Sequence, residues 1–188
     1  MKIVHKGEYG YISYQKKWTI IRTAIYFAIC IAIFVVGYIT TGSRRNLLTI
    51  VAVLGCLPAC KSFVNVVMFL RAKGCSEALH SMILETHTKL SGLYDLYLTS
   101  YKTNFDLSHM IIAEKTIIGV VEVAGTDTAA LEKHIEDHLK QDGCKDMMVK
   151  IFSDKNKYVE RINQLSELDI KPLAKQDEIL EMLLSISL

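Results

Sequence analysis

A two-span membrane α-helical hairpin followed by a cytoplasmic α/β domain is the fold class the sequence predicts, with the domain's elements in the order α-β-β-β-α-β-α-α. Three observations lead there. Residues 19–41 and 46–70 together make 48 positions with two charged side chains, Arg22 and Lys61, while the other 140 residues hold 40. Residues 1–71 carry nine Lys or Arg against one acid, Glu8, a balance of +8; residues 72–188 carry 13 bases against 19 acids, a balance of −6. Beyond residue 72 the long apolar runs give way to short helical and alternating patterns punctuated by Gly, Asp and Ser. This split excludes a single water-soluble globule. Two long apolar runs also exclude a polytopic transporter, because each crossing needs about 20 mostly apolar residues.

Residues 1–18 are expected to lie at the cytoplasmic membrane interface, residues 19–71 to form the hairpin and residues 72–188 the domain. The first run is 23 residues long, enough to cross a hydrocarbon layer of about 30 Å with some tilt. It exceeds the apolar core of a signal peptide and no small-residue cleavage site follows it, so it is read as a retained helix. Arg22 lies about one turn inside Trp18, from where its stem reaches back to the headgroups. Gly42-Ser43-Arg44-Arg45 is read as a tight turn that returns the chain antiparallel. Lys2, Lys6, Lys16, Lys17, Arg71 and Lys73 flank the open end against two arginines in the turn, and the positive-inside rule then places both termini in the cytoplasm of a multi-pass cell-membrane protein. Tyr9, Tyr11, Tyr14 and Trp18 would form an aromatic belt at that interface.

The second run contains Pro58, Lys61 and Asn65. Lys61 is about 13 Å along a helix from Leu70, and neither run holds an acid to pair with it. Two readings stand: the helix breaks at Pro58 and Lys61 snorkels to phosphate, or Pro58 and Asn65 flank a polar membrane site that makes the chain a small transport or lipid-binding component. Cys30, Cys56, Cys60, Cys75 and Cys144 are read as free thiols in a reducing compartment.

In the domain, residues 75–90 show a helical period in Leu79, Met82, Ile83 and Leu90 after the potential cap Ser76. Residues 93–101 alternate and follow the turn Ser91-Gly92, and residues 110–113 and 117–124 make two more strands around Glu114-Lys115-Thr116. Thr126-Asp127-Thr128 opens a helix to about Gln141. Residues 147–152 form the fourth strand, a helix follows Ser153-Asp154, and a last one follows Pro172.

The segments Phe105-Asp106-Leu107-Ser108-His109 and Val121-Glu122-Val123-Ala124, in an α-β-β-β-α-β order, resemble the PD-(D/E)xK nuclease superfamily in its nuclease-related domain branch. The resemblance implies that Asp106 and Glu122 hold a divalent metal such as Mg²⁺ and that a lysine stands two residues after the glutamate. That position is Ala124 here, so Lys133 on the following helix, or Lys115, would have to supply the ammonium. No other cofactor is expected.

Three further clusters complete the reading. His134 and His138 share a helix face at the spacing of metal-binding helices, but Ile135 stands where that motif has its glutamate. His109 beside Asp106 is a candidate base. Lys145, Lys150, Lys155, Lys157 and Arg161 form a basic cluster that would face solvent or anionic lipid. The acidic domain has the wrong sign for general nucleic-acid binding. The function expected is a membrane-anchored, non-catalytic interaction or scaffold protein that binds lipid, self-associates and presents its domain to a protein partner, the alternative being a tethered metal-dependent nuclease.

Overall fold

The computed structural model describes residues 3–43, 46–88, 90, 92–100, 103–144, 146–167 and 176–188. Lys2, Arg44, Arg45, Ser91, Tyr101, Lys145 and Pro172, used in the sequence reading, lie outside them. The chain divides into two compact units, residues 12–72 and residues 1–11 with 73–188.

The first unit is a pair of helices, α1 (Tyr11–Thr41) and α2 (Leu47–Arg71), both long and apolar enough to cross a membrane. Contacts at Thr23 with Ser62, Cys30 with Gly55 and Gly37 with Leu48 move towards the connecting turn together, so the helices run antiparallel. Buried positions recur every seven residues, Thr23, Cys30 and Gly37 on α1 and Ala52, Ala59 and Val66 on α2. A seam made mostly of small side chains lets two backbones approach closely, and a β-carbon at Gly37 would stand 2.7 Å from that of Leu48. Thr23 Oγ1 and Ser62 Oγ share a buried hydrogen bond of 2.6 Å, satisfying both hydroxyls inside the seam. Asn46 closes the turn from both sides: its Oδ1 accepts from Thr49 N at the start of α2, and its Nδ2 donates to Gly37 O and Ser43 O at the end of α1. The helix does not break at Pro58, which lies within the continuous span of α2 with its ring on the exposed side.

The second unit is a three-layer α/β sandwich. Helix α3 (Glu77–Glu85), strands β1 (Gly92–Thr99), β2 (Asn104–Ala113) and β3 (Thr116–Val120), helix α4 (Thr128–Gln141), strand β4 (Met148–Phe152) and helices α5 (Lys155–Ser166) and α6 (Gln176–Ile186) follow in the expected order. The sheet runs β1-β2-β3-β4, antiparallel except for the parallel β3–β4 pair that α4 bridges. Leu131, Ile135 and Leu139 of α4 and Ile179 and Leu183 of α6 cover one face. Leu79 and Ile83 of α3 with Tyr158, Ile162 and Leu165 of α5 cover the other.

Three boundaries in the α/β unit differ from the sequence reading by more than two residues. Helix α3 ends at Glu85, so Leu90 packs on the core from outside it. Strand β2 starts at Asn104 rather than residue 110, because pairing with β1 draws its polar first half into the ladder. Strand β3 stops at Val120, which leaves Glu122 and Ala124 in the loop that follows rather than side by side on a strand. Residues 3–11 pack with the α/β unit: Tyr94 N donates to Gly7 O at 2.8 Å and Lys6 Nζ to Ser187 O at 2.7 Å. Together with Leu188 N, which donates to Tyr97 O, these contacts cover the free edge of β1.

Alternation reverses halfway along β1 and β2. Leu93 and Leu96 point to the same core, as do Leu107 and Met110, although the pairing register is unchanged on either side. The reversal falls at Asp95, whose backbone takes a left-handed φ of 56°, an arrangement that asparagine and aspartate tolerate better than most residues. Its consequence is chemical: it brings Asp95 and His109, both buried, to the same side of the sheet as α3 and α5.

Candidate functional site

Three carboxylates from successive levels of the sheet converge on the first residues after α2. Lys73 N donates to Asp106 Oδ1 at 2.7 Å, Cys75 N to Asp95 Oδ1 at 2.7 Å and Ser76 N to Glu122 Oε2 at 2.8 Å. Gly74 lies between them with little room to spare, since a β-carbon there would sit 3.1 Å from Asp95 Oδ1. Ser76 caps α3, accepting from Leu79 N while its hydroxyl donates to Glu122 Oε1 at 2.6 Å. Lys155, from the start of α5, completes the cluster with its ammonium 2.6 Å from Glu122 Oε1. Burial pushes the Glu122 carboxyl up, but the hydrogen bonds from Lys155 and Ser76 outweigh it and hold the group below its ordinary range. Burial, with Glu122 and Asp95 nearby, pushes the Cys75 thiol up to about 12, which makes it an inert thiol at neutral pH.

Beside this cluster the rings alternate Tyr, His, Tyr, His, Tyr. Tyr9 stacks on His80 with centroids 3.7 Å apart, Tyr94 meets His80 edge-on at 5.2 Å, and Tyr94 lies 4.1 Å from His109. His109 Nδ1 shares a 2.8 Å hydrogen bond with the Tyr158 hydroxyl, both groups being buried. Burial, and secondarily His80, lowers the His109 pKa to about 3, so its ring stays neutral throughout the physiological range.

The candidate residues therefore separate. Asp106 and Glu122, expected as metal ligands, are hydrogen-bonded to backbone, hydroxyl and ammonium donors, and no group of three or more His, Cys, Asp or Glu side chains among the described residues could hold a metal ion. Lys133 is exposed on α4, and the lysine that reaches Glu122 is Lys155. The sequence marked Ser76 only as a cap and Lys155 only as one of a basic cluster, and did not single out Asp95; their meeting with residues 73–76 and Glu122 comes from the crossing of α3 and α5 over the sheet. The basic cluster is partly neutralised, with Lys150 Nζ 3.2 Å from Glu132, whose Oε1 also accepts from Ile151 N. His134 and His138 make an edge-on ring contact at 4.8 Å. Burial and the neighbouring His138 lower the His134 pKa against the opposing pull of Asp137.

In the helix pair, Lys61 and Pro58 are exposed on the outer side of α2, away from the seam that buries Ala59 and Ser62, and Asn65 is half-buried. At the far end Trp18, Lys17 and Arg22 are exposed and Lys16 half-buried on the first turns of α1, where Tyr14 meets Trp18 edge-on. A lysine on the outer surface of an apolar helix costs at least about 2.5 kcal/mol on insertion scales. Lys61→Leu is expected to lower the apparent insertion free energy of α2 by that amount, read from the glycosylated fraction in a microsomal insertion assay. An unchanged fraction would place Lys61 outside the apolar layer.

Comparison of the chain with family models, with curated proteins and with solved structures finds no match.

Proposed function

We propose that this chain is a membrane-anchored adaptor: α1 and α2 cross the cytoplasmic membrane as a hairpin, both termini lie in the cytoplasm, and the α/β unit is a non-catalytic platform for a protein partner. The observation that carries the non-catalytic reading is the use made of the three acids. Asp95, Asp106 and Glu122 each accept a backbone N–H from residues 73–76, so the carboxylates a hydrolytic centre would need hold the domain's entry segment to its own sheet. Membrane placement is supported by exposure. Only 17% of the most apolar stretch of either helix is buried, whereas a core helix of a water-soluble domain would be mostly covered. At about 1.5 Å per residue α1 is roughly 46 Å long, which leaves the turns bearing Lys16, Lys17 and Trp18 beyond a 30 Å hydrocarbon layer. Self-association through the outer faces of the spans belongs to the same proposal.

The test uses the full chain in native membranes. Cys144, half-buried in the α/β unit, is expected to react with a membrane-impermeant maleimide in inside-out vesicles and not in right-side-out ones. Mass in lipid nanodiscs or mild detergent is expected to exceed that of one chain. Labelling from the outside overturns the topology, and a strict monomer that captures no partner overturns the adaptor reading. Mg²⁺-dependent cleavage of nucleic acid by the full chain, abolished by Glu122→Ala, would instead favour the tethered nuclease with Lys155 as the relocated lysine.

A further inference from the structure

Cys30 and Cys56 meet inside the helix pair. Contacts across the seam step by seven residues along both helices, with Thr23 on Ser62, Cys30 on Gly55 and Gly37 on Leu48. At the first of these levels two hydroxyls bond to each other. At the second two thiols do, since Cys30 shares a side-chain hydrogen bond with Cys56, the residue beside Gly55. Gly55 leaves room for the sulfur: a β-carbon there would stand 3.2 Å from Cys30 Sγ. Cys30 is buried, Cys56 half-buried, and Cys60, about one turn further along α2, exposed. Among the described residues of the seam, Cys30 and Cys56 are the one facing pair of side chains that can become covalently joined.

We propose that Cys30 and Cys56 are a disulfide site, closed across the seam by an apolar hydroperoxide. The chemistry balances in two steps. Cys56 Sγ, the more open of the two, attacks the outer peroxide oxygen; the O–O bond breaks, and the thiol proton leaves with the other oxygen as an alcohol. Cys56 is then a sulfenic acid. Cys30 Sγ, its hydrogen-bond partner, attacks that sulfur, and the S–O bond breaks to release water that carries off the Cys30 proton. The two sulfurs together lose two electrons and the peroxide gains them. A disulfide needs sulfurs about 2.05 Å apart and α-carbons within about 7 Å, a separation that small side chains at a seam allow two helices. Cys60 shares a helix with Cys56 and faces outward, so it has no such partner on α1. Inside a bilayer the bond is out of reach of glutathione, a charged peptide that does not enter hydrocarbon. That shielding rests on the membrane reading, whereas the cross-link rests only on the pairing of α1 with α2, so the two fail separately.

The experiment treats the full chain in lipid nanodiscs with cumene hydroperoxide, alkylates the remaining thiols, and reads the intact mass and the peptide map. The expected product is a chain short of two hydrogens, with one link joining the peptides of Cys30 and Cys56. Cys60→Ala should form it in unchanged yield, and Cys30→Ala and Cys56→Ala should lose it. Hydrogen peroxide, held largely in water, is expected to form it at least about ten-fold more slowly. Equal rates with the two peroxides overturn the apolar oxidant. The site itself is overturned if no link forms, if the link joins two chains, if it maps to Cys60 or Cys144, or if Cys60→Ala abolishes it. Should Cys30→Ala or Cys56→Ala fail to fold, the peptide map of the unaltered chain decides alone.

Discussion

Lowering the pH from 7 to 4 is expected to remove roughly 3 kcal/mol from the stability of the α/β unit through His109 alone. The imidazole is 2% exposed, and burial, with a smaller push from His80, brings its pKa down from 6.5 to about 3. Between those two values the unfolded chain binds the proton and the folded one does not. Stability is therefore complete above about pH 6.5 and declines steadily as the pH falls towards 3. His134, lowered chiefly by burial, contributes with the same sign. Glu122 acts lower on the scale: its carboxyl is held below the ordinary 4.5, so its contribution is present above that pH and is lost beneath it. Urea titrations of the full chain in nanodiscs, followed by proteolysis of the domain at successive pH values, read the slope. His109→Phe should cut the slope between pH 6.5 and 4.5 by more than half and leave the transition below 4.5 in place. An unaltered slope would mean that His109 is protonated in the folded protein.

Glu122→Ala is expected to destabilise the α/β unit by about 2–4 kcal/mol, because it strands Ser76 N, the Ser76 hydroxyl and the Lys155 ammonium together. Lys155→Met should cost much less, about 1 kcal/mol, since that side chain is 39% exposed and water replaces its partner. The double variant is expected to fall short of the sum, as the two residues share one interaction. Amide exchange would show where the loss occurs: Ser76 should exchange faster in Glu122→Ala while the β2–β3 amides change only with global stability. If Ser76 exchanges as in the unaltered chain, Glu122 is not what holds it, and its part in the observation on which the non-catalytic reading rests is gone.

Several features were legible from residues alone because their causes are local. Two runs nearly free of charge give α1 and α2 whatever their neighbours do. Ser76, Asp127 and Asp154 mark the starts of α3, α4 and α5 because a side-chain oxygen immediately before the helix satisfies a free N–H of its first turn. The order of the domain's elements followed from where the hydrophobic period changes. Boundaries within the sheet did not. The extra length of β2 and the early end of β3 depend on which partner strand is present to accept hydrogen bonds, a property of the assembled sheet.

What the sequence by itself determined is therefore the partition of the chain into an apolar helix pair and an acidic α/β unit, and the order of elements in each. What only the tertiary structure decided is the use made of the polar residues. A carboxylate looks the same in a sequence whether it binds a metal or a backbone N–H. The left-handed Asp95 and the passage of α3 and α5 over one sheet face put Asp95, Asp106 and Glu122 against the chain's own amides, and brought Lys155 rather than Lys133 to Glu122. Hydrogen bonds of this kind reach across tens of residues and depend on ångström placement, which hydrophobic periodicity does not encode.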